Sequence, residues 1–105
     1  MEVKELSNFI DRTLPKGAGD YSIRERVFVH IAKISEEVGE LSEQVLGKFG
    51  GQRLDKIDKF SDERLGDELA DVIFSTIRLA RLLDLDVDEI LSKKMKILRE
   101  RFEKK

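Results

Sequence analysis

Two short acidic stretches hold the residues that could do chemistry. Ser35–Gln44, SEEVGELSEQ, sets Glu36, Glu37 and Glu40 around Gly39, and Gly66–Val72, GDELADV, sets Glu68 three residues before Asp71. Carboxylates spaced i, i+3 on a helix are surface neighbours. If two such helices lie side by side, the two pairs converge, repel and raise one another's pKa unless a cation joins them. A hard dication resolves this. Mg²⁺ and Mn²⁺ take oxygen ligands, polarise phosphoryl oxygens and activate bound water. Gly39 needs a reason of its own, since glycine inside a helix costs about 1 kcal/mol against alanine. One reason is close approach of a ligand or a neighbouring helix. The competing reading is a solvated surface: with 22 acidic residues in the chain, such spacings also arise by chance. On that reading Lys33 and Glu37 form an ordinary i, i+4 ion pair.

The elements that must position these acids read as helices throughout. Val3, Leu6, Ile10 and Leu14 recur at helical spacing and mark a first helix, stopped by Pro15-Lys16-Gly17-Ala18-Gly19. Val27, Ile31, Ile34, Val38, Leu41 and Val45 run through a long second helix that ends at Gly47, Gly50 and Gly51. Residues 48–60 form a connector with a short turn around Leu54 and Ile57. Ser61 or Asp62 can cap a third helix, whose stripe is Leu65, Leu69, Val72, Thr76, Leu79 and Leu83. Asp86 and Glu89 form a capping box for a fourth helix that buries Leu91, Met95, Leu98 and Phe102. The expected fold is all-α, a four-helix antiparallel bundle in a single domain spanning residues 1–105.

Each residue turns a helix by roughly 100°. Glu37 then lies about 60° from the centre of its stripe and Glu40 about 120° to the same side. Glu68 and Asp71 stand at the same angles from the stripe of the third helix. Both pairs are expected at the edge of the apolar seam, on matching flanks.

Composition narrows the classes. At 40% hydrophobic residues, 105 positions make one small core, and an interface between copies would bury more. A net charge of −2 makes nucleic acid an unexpected partner. With no cysteine, disulfides and thiolate metal sites are excluded. No apolar run is long enough for a membrane span, and the N-terminus lacks the form of a signal peptide, so a cytoplasmic protein is expected. Neither glycine-rich segment, KGAG nor GKFGG, is a P-loop.

Taken together, Glu36, Glu37 and Glu40 followed by Glu68 and Asp71 resemble the E-E-x-x-E, spacer, E-x-x-D signature of the MazG-type members of the all-α nucleoside triphosphate pyrophosphohydrolase superfamily. The similarity continues through LARLLDLDVDEIL and KKMKILRERF and covers roughly residues 23–102. The resemblance implies Mg²⁺-dependent cleavage of a nucleoside triphosphate between its α- and β-phosphates, giving the monophosphate and pyrophosphate. It implies Glu37, Glu40, Glu68 and Asp71 as metal ligands, with Glu36 orienting another group or water. It also implies a homodimer, or a homotetramer built from dimers, with the nucleotide near the subunit interface. In such proteins the last helix often reads K-x-x-x-N-x-x-R. Lys94 and Arg101 match as phosphate contacts, but Leu98 stands at the asparagine. That departure leaves substrate, efficiency and activity open. Directed activity on phosphoribosyl-ATP, dUTP or dCTP is an alternative within the superfamily, and a non-catalytic nucleotide-binding or interaction protein is one outside enzymes.

Other residues carry weaker signals. His30, the only histidine, falls at the edge of the second stripe, as a part-buried structural residue or a substrate contact. Tyr21 and Phe28 are core aromatics or base-stacking platforms. Lys48, Arg53, Lys56 and Lys59 are surface cations or phosphate contacts, and the basic C-terminal run suits a helix C-terminus.

Overall fold

A computed structural model of the chain describes residues 1–14, 22–49 and 61–103. These form helices α1 (Val3–Thr13), α2 (Ile23–Lys48), α3 (Asp62–Leu82) and α4 (Val87–Phe102), and no strand occurs among the described residues. The expected all-α class is observed. The turn around Leu54 and Ile57, and the breakers at 15–19 and 50–51, lie outside the described residues.

Helix starts follow local chemistry. The Ser61 hydroxyl accepts from the Arg64 N–H at 3.1 Å, so Ser61, not Asp62, caps α3. Asp86 Oδ1 accepts from the Glu89 N–H at 3.1 Å. Only that half of the capping box forms, because the Glu89 carboxylate lies 2.9 Å from Lys93. Ser22 caps α2 by accepting from the Glu25 N–H at 3.2 Å. The end of α3 is a Schellman motif: Leu85 N–H donates to Ala80 O and Asp84 N–H to Arg81 O. This puts Asp84 in the left-handed region at φ 58°.

The chain divides into two compact units, one of Met1–Gly17 with Ile77–Lys105, the other Ala18–Thr76. In the first, α1 packs against α4, and Leu6, Ile10, Ile77 and Val87 are buried. Arg81 Nε donates to Asp11 Oδ1 at 2.7 Å, and its Nη1 donates to Leu85 O at 2.8 Å, tying α1 to the turn after α3. The expected burial of Leu91, Met95 and Phe102 is not observed; all three are exposed, and of that stripe only Leu98 is half-buried. Periodicity identifies which face of α4 is apolar, not what covers it.

The second unit holds α2 and α3 through Thr76. Lys48 pairs with Asp62, and Glu40 meets Glu68. Residue numbers rise along one helix as they fall along the other, so α2 and α3 run antiparallel here.

Asp84 carries a Cβ where glycine is favoured, and its negative charge sits at a helix C-terminus. Asp84→Gly is expected to stabilise the fold by about 0.5–1 kcal/mol, read as a higher midpoint in urea or thermal unfolding. An unchanged or lower midpoint would contradict this account of the turn.

Candidate metal centre

The inward faces of α2 and α3 are not their most apolar faces. On α2 the covered positions include Val27, His30, Ile34, Glu37, Leu41 and Gln44, while Phe28, Ile31, Val38 and Val45 are exposed. On α3, Leu65, Glu68, Val72 and Ser75 are covered, and Leu69 and Ile73 are exposed. Each helix is therefore rolled from the orientation expected from its stripe, turning the acidic flank inward. Glu37 is 6% exposed, against 43% for its neighbour Val38. It lies inside the helix pair, not at its edge.

This roll brings Glu37, Glu40 and Glu68 together. One carboxylate oxygen from each lies within 4.8 Å of the others. Two oxygens on opposite sides of one hard cation, each about 2.0–2.6 Å from it, are roughly 4–5 Å apart. Three acids so placed are able to hold one cation. Exposed acidic groups often cluster without binding anything, but two oxygens here are in another condition. Glu37 Oε2 and Glu68 Oε2 are buried and have no hydrogen-bond partner, which is a costly state for an acceptor. A cation, or water held by one, would supply what they lack.

Lys33 offsets part of the cluster's charge. Lys33 Nζ lies 3.1 Å from Glu37 Oε1 and 3.7 Å from Glu36 Oε1. Desolvation, then repulsion from Glu68 and Glu37, holds the Glu40 carboxyl above its ordinary 4.5.

The remaining expected residues are placed as follows. Asp71 is exposed and outside the converging trio, and Glu36 is exposed at the rim. His30 is half-buried and its Nδ1 donates to Arg26 O at 2.8 Å, a structural role within α2. Lys94 and Arg101 are exposed on α4, in the first unit. Phe28 is exposed, with the Arg24 guanidinium 5.5 Å above its ring. Tyr21, Arg53, Lys56 and Lys59 lie outside the described residues. A side chain built on Gly39 would meet nothing within 4 Å, so no close contact among the described residues accounts for that glycine. Gln44, not anticipated, has its Oε1 buried and unpartnered on the same inward face as Glu37. The seven-residue step His30, Glu37, Gln44 was the available signal.

Comparison of the chain with protein-family models, curated proteins and solved structures returned no match.

Because Glu40 is raised, its contribution to stability is fully present below its ordinary pKa and is lost as pH rises through the folded value. In chelator, wild-type stability relative to Glu40→Gln is expected to fall as pH rises above 4.5, measured by urea unfolding at successive pH values. A difference that grows with pH would contradict the placement of Glu40 among like charges.

Proposed function

We propose that the chain is a Mg²⁺-dependent nucleoside triphosphate pyrophosphohydrolase, a MazG-like member of the all-α superfamily, acting in the cytoplasm. The observation that carries this reading is the meeting of Glu37, Glu40 and Glu68, with buried unpartnered oxygens, at the positions the signature assigns to metal ligands. Mn²⁺ would be accepted by the same hard donor set.

Glu37, Glu40 and Glu68 would hold the cation, with Asp71 completing the set. A bound dication would neutralise phosphate charge and lower the pKa of a coordinated water. The protein's own part is positional and electrostatic. Glu40, whose carboxyl is held above its ordinary pKa, would bind the cation in its ionised form, and Glu36, at the rim beside Lys33, would orient water or a polar neighbour. The resemblance assigns Lys94 and Arg101 to the phosphates, where they would stabilise the departing pyrophosphate.

A four-helix antiparallel bundle, assembled as a homodimer or homotetramer, belongs to the same proposal. The exposed apolar flank of α2 and α3 supports it: Phe28, Ile31, Val38, Val45, Leu69 and Ile73 are left for a second copy to cover. Leu98, half-buried where the family pattern has asparagine, favours one competing reading, a nucleotide-binding protein without turnover.

A pyrophosphate-release screen over normal and modified triphosphates, including dUTP, dCTP and phosphoribosyl-ATP, tests the proposal. Product formation is expected to require Mg²⁺ or Mn²⁺. In Glu40→Gln and Glu68→Gln it is expected to fall by more than the about 10–100-fold typical of losing a group that only supports a metal ligand. Nucleotide binding with no product from any substrate would favour the non-catalytic reading, and full turnover in both variants would remove the metal mechanism.

A further inference from the structure

Glu37 enters the acid cluster with its two oxygens in different conditions. Oε1 is 3.1 Å from the Lys33 ammonium, whereas Oε2 is buried with no partner. Lys33 sits one helical turn before Glu37 with its side chain 50% exposed, so its ammonium holds the carboxylate from the solvent side. It also reaches toward Glu36, 3.7 Å away. A glutamate side chain has three rotatable bonds, and an unheld carboxylate pays in lost rotamer freedom when it binds an ion. Fixing one oxygen removes part of that cost and leaves the other as the free acceptor.

We propose that Lys33 is a positioning residue for the cation site: it pins Glu37 by Oε1 so that Oε2 is presented as the metal ligand, without itself touching metal or substrate. This rests on reading the Glu37, Glu40 and Glu68 cluster as a metal centre. Two effects of Lys33 oppose one another. Its charge repels a dication, and its hold on Glu37 organises a ligand. The ammonium is half exposed, so water screens the repulsion. The oxygen it occupies is not the one left unpartnered, so it does not fill the cation's place. Organisation therefore wins, as it does for groups that support metal ligands elsewhere.

The test is Mn²⁺ binding by the full chain, measured by calorimetry and by the electron paramagnetic resonance of free Mn²⁺. Wild type, Lys33→Met, Lys33→Arg and Glu40→Gln are compared, each shown to be folded by circular dichroism. Lys33→Met is expected to weaken Mn²⁺ binding about 10–100-fold, and Lys33→Arg, which keeps the charge, to stay within about threefold of wild type. Glu40→Gln is expected to lose binding. If Glu40→Gln loses binding while Lys33→Met binds as tightly as wild type or tighter, the metal centre stands and the role of Lys33 falls. Lys33→Arg as weak as Lys33→Met also overturns it, since the ammonium's charge would not be what matters. Glu40→Gln binding like wild type removes the metal centre, and the positioning role with it.

Discussion

Repulsion among three carboxylates that meet between two helices, one of them buried, is the constraint on which the account of the second unit depends. Glu37 and Glu68 lie close enough to Glu40 to resist its ionisation. A lysine lies against Glu37, and the Glu40 carboxyl is held above its ordinary pKa. Neither satisfies the inner oxygens of Glu37 and Glu68, which remain buried without partners. A helix pair selected for stability alone would fill this seam with its abundant aliphatic side chains. Instead Ile31, Val38, Leu69 and Ile73 face outward. The arrangement makes physical sense if the seam serves a cation and the outward apolar flank serves another copy of the chain.

The first unit is built differently. Its buried residues are the aliphatic Leu6, Ile10, Ile77 and Val87, and its main polar link, Arg81 to Asp11, is satisfied on both sides. Arg81 also closes on the Leu85 carbonyl in the turn that joins α3 to α4. In the α2 and α3 pair, by contrast, the buried polar groups include the carboxylate of Glu37.

Helix positions were legible from spacing and caps. The 3.6-residue period placed all four helices, and Ser61 and Asp86 marked starts that the hydrogen bonds reproduce. The approach of Glu37 and Glu40 to Glu68 was also legible, because i, i+3 acids on two adjacent helices can meet in few ways. The roll of each helix was not. A stripe as wide as Val27 to Val45 has two flanks, and spacing alone does not tell which flank packs within the chain. That ambiguity is why Glu37 is more buried than expected, and why Gln44 was overlooked. It also explains α4, where Leu91 and Met95 form an apolar face that this chain does not cover. Asp71 illustrates a further limit: sharing a motif with Glu68 does not place it among the converging oxygens.

The central claim is that α2 and α3 bring carboxylate oxygens together around a cation. Anomalous diffraction from crystals grown with Mn²⁺, collected at the manganese absorption edge, tests it most directly. The account requires a peak within coordination distance of Glu37, Glu40 and Glu68, about 2.0–2.3 Å from their nearest oxygens. Saturating Mn²⁺ with no peak there, and the three side chains turned apart into solvent, would contradict it.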